Sequence, residues 1–399
     1  MGTLIRSIGT YLPPWGVATA RRAGDDEDVV TMAVAAGLEA LAGVDPSGIG
    51  QVMFVSRDLP LLQGGNSAPL LAGLGLGESS DIREILGGAP EALAAVAGAA
   101  PGTLVVAADT GTSGAGAAAV LVGSEGGSLD LVARVTRSLP VVARDSRGKV
   151  SDYSDPRLLR VRGLTVSLEH AGVAGKVSAV AGLNAKEGAA LADGDAPVLP
   201  TSGASSALFG LAALAEGREG GRLLAVEQAS VAVADISNGG AVAVSRNERP
   251  AQPLPVTRMA SDADIAISLA AYERAFEAKL RLEATRCTTC GTLAYPARYR
   301  CLGCGSEERG EAYPLPRDAE VYTLATIHVP VPGLGVPYTV VLVELGDSGV
   351  RVLVRLTGAA PGSAAIGDRG WMVLRKVATR NGVPDYGYAF IPELAEVPS

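Results

Sequence analysis

No cysteine occurs in the first 286 residues of this 399-residue chain, and none after position 304. There are only two histidines, His170 and His328. Aromatic residues make up 4% of the chain, too few for the stacking platforms on which single-stranded nucleic acids lie. Positive charge is also scarce: 34 Lys and Arg stand against 42 Asp and Glu, a formal net charge of -8. That balance argues against nucleic acid or an anionic membrane surface as the main partner, because both need a basic face. No apolar run reaches the roughly 20 residues that a spanning helix needs. Stretches such as EALAAVAGAA (91–100) are short and rich in Ala and Gly. The opening residues, MGTLIRSIGTYLPPWG, lack the basic segment and long apolar run of a secretory signal. The expectation is a cytoplasmic protein, and in a reducing compartment clustered cysteines point to a metal rather than to disulfides.

What is present suits a large core: 48% hydrophobic and 19% charged residues, in a chain long enough for two or more domains. Over residues 1–250, apolar strands alternate with helical patterns. QVMFVSR (51–57), GTLVVAADT (102–110) and GAGAAAVLVGS (114–124) read as buried strands. DVVTMAVAAGLEAL (28–41) reads as a helix behind the acidic GDDED, which suits a helix N-terminus. PEALAAVAGAA (90–100) reads as a helix with Pro90 in its first turn. Strands that are apolar throughout, between helices, predict an α/β layered fold with a covered sheet. The pattern then recurs. KVSAVAGL (176–183) is a strand, TSGASSALFGLAALAEG (201–217) a helix, and GRLLAVEQAS (221–230) and GGAVAVSRN (239–247) two closing strands. Helix, strand, strand over 90–124 is thus repeated over 203–247, predicting a duplicated domain with halves of about 1–165 and 166–250.

A proline-containing linker is predicted over 251–261, and a helix over 262–284. After the cysteines come five β-rich runs, at 319–329, 338–345, 350–358, 369–378 and 387–393, separated by turn signals such as GDSG and RNGVPD. Five short strands of this kind predict a small closed barrel of OB type over 316–399.

The cysteines themselves, Cys287, Cys290, Cys301 and Cys304, are spaced C-x2-C-x10-C-x2-C within a predicted ribbon over 285–315. Each C-x2-C knuckle turns two thiolates toward one point, and the ten residues between form a hairpin that brings the knuckles together. Gly291 and Gly305 follow the knuckles, where the turn needs a positive φ. The expected ion is a structural Zn2+, with iron in the rubredoxin manner as the alternative. Four thiolates close the shell, so the site is expected to hold structure and perform no chemistry.

The run RCTTCGTLAYPARYRCLGCGS, followed by VPYTVVLVELGDSGVRV, IGDRGWMV and YGYAFIPE, resembles the zinc-ribbon/OB-fold proteins grouped as domain of unknown function 35. In that family a helix precedes the ribbon, and here Tyr272, Phe276 and Leu280 fall on it. Its members accompany thiolase-like enzymes acting on acyl-CoA, where they bridge subunits or help hold the CoA substrate. The N-terminal part is consistent with this. IGTYLPPW, GDDEDVVTMAVAAGLEAL, VVAADT, GAGAAAVLVG and SDPRL resemble the hydroxymethylglutaryl-CoA synthase and ketoacyl-synthase III branch of the thiolase superfamily. The resemblance implies a thiolase-like five-layer αβαβα duplicated domain, followed by a rubredoxin-like zinc ribbon and a five-stranded OB-fold β-barrel.

In that superfamily a cysteine at the N-terminus of a helix takes the acyl group, and His and Asn assist it. The resemblance places Leu86 at the nucleophile position, Ala181 or Gly182 at that of the His, and Pro200 at that of the Asn. Leucine cannot form a thioester, so catalytic residues are expected to be absent. His170 reads as a helix-end residue and His328 as a barrel loop residue. Asn184 is the one polar residue that would survive in the old pocket. Ser79, Ser80, Ser202, Ser205 and Ser206 lack an adjacent His to activate them, and the serines of PTSGASS read as a helix N-cap. GGNS (64–67) and GTSGAG (111–116) read as turns.

The resulting expectation is an auxiliary, non-catalytic subunit of an acyl-CoA thiolase, aldolase or acyltransferase complex. Its partners would be a separate thiolase-like subunit and the CoA thioester that the complex processes. The alternatives are an enzyme active by itself through unconventional residues, and an acyl-CoA-binding scaffold.

Overall fold

In the computed structural model, the described residues are 2–61, 64–111, 114–137, 139, 141–145, 147, 149–217, 219–259, 268–329, 334–380 and 382–393. They divide into two compact units. The first is Met1–Ala23, Met32–Ser67 and Leu76–Ala251; the second is Gly24–Thr31, Ala68–Gly75 and Gln252–Ser399.

In chain order the main elements up to residue 123 are β1 (Thr3–Leu12), α1 (Val29–Ala40), β2 (Gln51–Ser56), α2 (Ser67–Leu74), β3 (Asp81–Leu86), α3 (Ala89–Ala97), β4 (Thr103–Asp109) and β5 (Gly116–Gly123). The strands lie side by side as β3-β2-β4-β5-β1. β2 is parallel to β3 and to β4, whereas β5 is antiparallel to β4 and to β1. Then follow β6 (Gly127–Val135), α4 (Val166–His170), β7 (Ala179–Ala181), α5 (Ala185–Leu191), α6 (Ser205–Glu216), β8 (Gly220–Glu227), β9 (Ser230–Ser237) and β10 (Ala243–Glu248). These strands lie as β7-β8-β9-β6, with β7 parallel to β8 and β9 antiparallel to both neighbours.

The second order is the first with its third strand missing. Second, fourth, fifth and first strands stand in the same places and directions, so the duplication is present in the topology, but the second half begins at β6 near residue 127 and not at 166 as the sequence pattern predicts, because its first strand precedes the recurring segment. The missing strand has a physical cause. The stretch that precedes α6, where the first half has β3, is Pro197-Val198-Leu199-Pro200, and two prolines in four residues remove the donors that a ladder needs. Among the described residues 182–204 the third strand is reduced to a single parallel bridge from Ala192 to Val177.

α3 packs on β2 and β4 of the first half and on β6, β8 and β9 of the second. α6 packs on β1, β4 and β5, and on β7, β8, β9 and β10. The two helices therefore form a central layer between the half-sheets, lined by Leu93, Val96, Leu208 and Leu211 against Val105, Val120, Leu223 and Ala232. On the outer face of the first half-sheet, α1 approaches β1 so closely that a Cβ on Gly9 would stand 2.2 Å from the Ala36 carbonyl oxygen. On the outer face of the second, Leu164, Leu168 and Leu191 cover Val180, Leu224 and Val233. Helix, half-sheet, helix pair, half-sheet, helix: the five αβαβα layers of a thiolase-like domain are in place.

Three elements differ from the sequence reading. The strand after β8 is Ser230–Ser237, not 239–247. The latter region carries β10 (243–248), which pairs in parallel with β1. Asp81–Leu86 is a strand that sequence patterning did not reveal. The helix expected over 262–284 is α7 (Leu269–Phe276), continued by a wider turn through Glu277–Arg281. Its residues 262–267 lie outside the described residues, and Glu283 already begins a strand.

In the second unit, β11 (Glu283–Arg286), β12 (Leu293–Ala294) and β13 (Glu311–Pro314) form a three-stranded ribbon. After them come β14 (Asp318–Ile327), β15 (Tyr338–Leu345), β16 (Arg351–Arg355), β17 (Arg369–Arg380) and β18 (Val383–Pro392). Their order is β16-β15-β14-β17-β18, all antiparallel, and a bridge from Leu356 to Phe390 joins the two edges. This is the expected five-stranded barrel. Residues 24–31 group with it. The Arg375 guanidinium, 1% exposed, faces the Glu27 carboxylate at 3.5 Å and donates to Thr357 Oγ1 at 3.2 Å. Tyr386 donates to Asp28 Oδ2 at 2.8 Å, and the Lys376 amide donates to the Asp26 carbonyl. GDDED does start a helix, since Asp28 accepts from the amides of Val30 and Thr31, but its acidic groups serve the barrel as well.

Candidate functional site

The four cysteines converge as their spacing predicts. In each knuckle the glycine after the second cysteine closes a tight turn: the Gly291 amide donates to the Cys287 carbonyl at 2.9 Å, and the Gly305 amide to that of Cys301 at 3.0 Å. Gly291 and Gly305 have φ of +74° and +75°, the left-handed region that glycine enters without a Cβ penalty. The loops are repeated in their exits too, where the Cys287 amide donates to Thr292 O and the Cys301 amide to Ser306 O, both at 2.9 Å. The sulfurs of Cys287 and Cys304 lie 3.8 Å apart, those of Cys290 and Cys301 3.5 Å, and all four fall within 4.8 Å of one another. A tetrahedron with Zn–S of about 2.3 Å requires sulfur separations of about 3.8 Å. The two short separations match that geometry, and the four thiols suit a tetrahedral zinc site. Amides of Cys290 and Thr289 hold the Cys287 thiol below its usual range, and those of Cys304 and Gly303 do the same for Cys301. At those two cysteines the amide donors favour the thiolate form that a metal needs, whereas, despite the Ser306 amide, hydrogen bonding with the neighbouring sulfurs pushes Cys304 up to about 12. Among the described residues no further His, Asp or Glu joins the cluster, so the ion would brace the ribbon.

The three positions expected to have lost catalytic groups lie in the first unit. Leu86 ends β3 and is 70% exposed, two residues before the N-terminus of α3. Ala181 is buried in β7. Gly182 beside it could not be a histidine, because with φ of +85° its Cβ would stand 1.8 Å from the Val226 carbonyl oxygen. Pro200 precedes the α6 turn. His170 ends α4, and His328 sits exposed after β14. Asn184 caps α5 by accepting from the Glu187 amide, and is exposed.

Two carboxylates that sequence reasoning missed occupy the ends of the central helices. Asp109, the last residue of β4, accepts from the amides of Ala204 and Ser205 at 2.7 Å each and from Ser205 Oγ at 2.5 Å. The cap of α6 therefore comes from a distant strand rather than from the serines of PTSGASS. Burial pushes Asp109 up to about 6, against the opposing pull of those hydrogen bonds. Glu227, the last residue of β8, lies against Gly88 at the N-terminus of α3, where a Cβ would stand 1.9 Å from its Oε1, and is paired with Arg57 at 2.6 Å. Burial pushes Glu227 up to about 7 despite Arg57, and Glu91 adds to the rise. Glu91, in the first turn of α3, lies 3.7 Å from Arg134. No pattern in the sequence marks Asp109 or Glu227. The one local trace is the glycine each faces, Gly203 and Gly88.

The second unit also carries an open groove of about 550 Å3 on the barrel. Its lining includes Lys279, Arg351 and Arg355 among apolar groups such as Leu282, Leu353 and Tyr388. Lys279 is paired with Asp385, and Arg351 stacks on Tyr322 at 3.6 Å.

A thiolase-like domain joined to a four-cysteine ribbon and an OB barrel defines the class of this protein. Residues 275–308 match the rubredoxin-like zinc ribbon domain of ChsH2, and residues 312–374 its C-terminal OB-fold domain. A DUF35 domain-containing scaffold protein of Methanothermobacter thermautotrophicus is 30% identical over 119 residues, covering 29% of this chain and 89% of that protein. Subunit BbsA of the benzoylsuccinyl-CoA thiolase of Thauera aromatica is 32% identical over 110 residues, 27% of this chain and 74% of that protein. The chain belongs, through this region, to the DUF35 zinc-ribbon/OB-fold family. Among solved structures, OleA of Xanthomonas campestris is 16% identical with a TM-score of 0.49, over 59% of this chain and 98% of that one. The 3-oxoacyl-[acyl-carrier-protein] synthase III of Aquifex aeolicus is 21% identical with a TM-score of 0.47, over 59% and 100%. Among the described residues, no helix is long and apolar enough to cross a membrane.

Proposed function

We propose that this chain is an auxiliary, non-catalytic subunit of a complex that forms or cleaves a carbon–carbon bond in an acyl-CoA. The observation that carries the reading is the pairing of a DUF35-family module with a five-layer αβαβα domain that has no cysteine, every cysteine of the chain lying in the ribbon; the resemblance puts the nucleophile, base and amide positions at Leu86, Ala181 or Gly182, and Pro200. A separate thiolase-like subunit supplies the cysteine. The family membership supports this, since BbsA is by name a thiolase subunit and the archaeal relatives are scaffold proteins. The zinc ribbon is a rigid brace, and the barrel groove is the contact for the CoA part of the substrate. Arg355, which donates to the Lys376 carbonyl while Lys279 and Arg351 are paired with Asp385 and Glu344, suits a phosphate oxygen, and the apolar wall suits the pantetheine arm. The compartment is the reducing cytoplasm, where four thiolates stay available to metal.

Co-expression with thiolase-like proteins of the same genome tests the reading. A stable hetero-oligomer that turns over acyl-CoA, from a chain that alone releases no CoA, is the expected result. Turnover by the isolated chain, or persistent failure to associate, would overturn it. In the complex, Arg355→Glu should raise KM for acyl-CoA several-fold with little change in kcat.

A further inference from the structure

β4 and β8 are equivalent strands of the two halves, and α3 and α6 are equivalent helices. The carboxylate that ends each strand reaches the N-terminus of the helix belonging to the other half: Asp109 of β4 at α6, and Glu227 of β8 at α3. The glycines at the two contacts correspond as well. A Cβ on Gly203 would stand 2.1 Å from Asp109 Oδ1, and one on Gly88 1.9 Å from Glu227 Oε1. A thiolate at position 86 would need this end of α3 free, because the helix amides there stabilise both the thiolate and the oxyanion formed when it attacks a thioester. The Glu227 carboxylate lies against Gly88 at this end of α3.

We infer that the two halves cap one another reciprocally, and that at α3 the Glu227 carboxylate covers the helix end beside position 86, so that Glu227 as well as Leu86 keeps this end of the helix from acyl transfer. Restoring a cysteine at position 86 would therefore not restore a reactive one. The charged groups facing Glu227 are Arg57 at the end of β2 and Glu91 of α3, with Arg134 of β6 beyond Glu91. The inference rests on the reading of Leu86 as the lost nucleophile position, and needs neither a partner subunit nor CoA to be tested.

The experiment uses the full-length chain carrying Leu86→Cys, alone and with Glu227→Gln or Glu227→Ala. Iodoacetamide alkylation of the peptide that contains position 86 is followed by mass spectrometry from pH 6 to 9.5, which separates the introduced thiol from the ribbon cysteines. With Glu227 present, that thiol should titrate at or above the ordinary value of about 8.5. Removing the charge in Glu227→Gln should lower the midpoint by about one unit, a roughly five- to tenfold faster reaction at pH 7.5. Glu227→Ala should react faster still, and should release p-nitrophenol stoichiometrically from a short-chain p-nitrophenyl ester. If Glu227→Ala does not fold, the isosteric Glu227→Gln decides alone. The inference is overturned if the introduced thiol titrates at the same pH with and without the Glu227 carboxylate.

Discussion

At the scale of single residues, the strongest chemistry is in Cys287, Cys290, Cys301 and Cys304. Their sulfurs already stand at zinc-ligand separations, so elemental analysis should find one zinc per chain. Cys301→Ser should lower metal content and release the ribbon to proteolysis, since structural zinc of this kind contributes about 10–16 kcal/mol of binding to folding. Less than one zinc with no iron in the purified chain would refute the four-thiolate centre. The second residue-scale feature is the buried pair of Glu27 and Arg375. Either Glu27→Gln or Arg375→Met alone breaks a buried ion pair from one side, which costs about 3–5 kcal/mol. Calorimetry should show the second unit's transition lowered by each single change, and largely recovered when both are replaced by apolar residues.

At the scale of elements, the ends of α3 and α6 decide the behaviour of the first unit. Asp109 and Glu227 both bind a proton more tightly in the folded chain than a carboxyl in the unfolded one does, because burial dominates at each. Stability from these groups is therefore complete below about pH 4 and is lost as pH rises through about 6 for Asp109 and about 7 for Glu227. Calorimetry between pH 5 and 8 should show the melting temperature of the first unit falling, and Glu227→Gln should flatten the upper part of that fall. Asp109→Ala should destabilise at every pH, by about 2–3 kcal/mol, because it leaves the Ala204 and Ser205 amides buried without an acceptor. Sequence pattern revealed the helices but not these caps. The serines next to α6 read as an N-cap because such hydrogen bonds are usually local, whereas the acceptor comes from 96 residues away. β9 escaped for a related reason: SVAVADIS continues β8 after a two-residue turn, and without a Gly-Asn signal one apolar run merges into the next.

At the scale of the whole molecule, several things were determined by the sequence alone. They include the ribbon, the five-stranded barrel, the alternation of strands and helices, the absence of a cysteine for the thiolase-like domain, and a duplication. All of these depend on spacing over a few residues or on composition, and local geometry translates them directly into turns, strands and ligand sets. Only the tertiary structure decided which strand orders the two halves share, that Pro197 and Pro200 deprive the second half of its third strand, and that Glu27 joins the barrel's buried arginine. It also decided where Asp109 and Glu227 go. A carboxylate in a sequence carries no mark of the amide it will meet. Its partner is set by packing between elements a hundred or so residues apart, and its ionisation by how much water that packing removes.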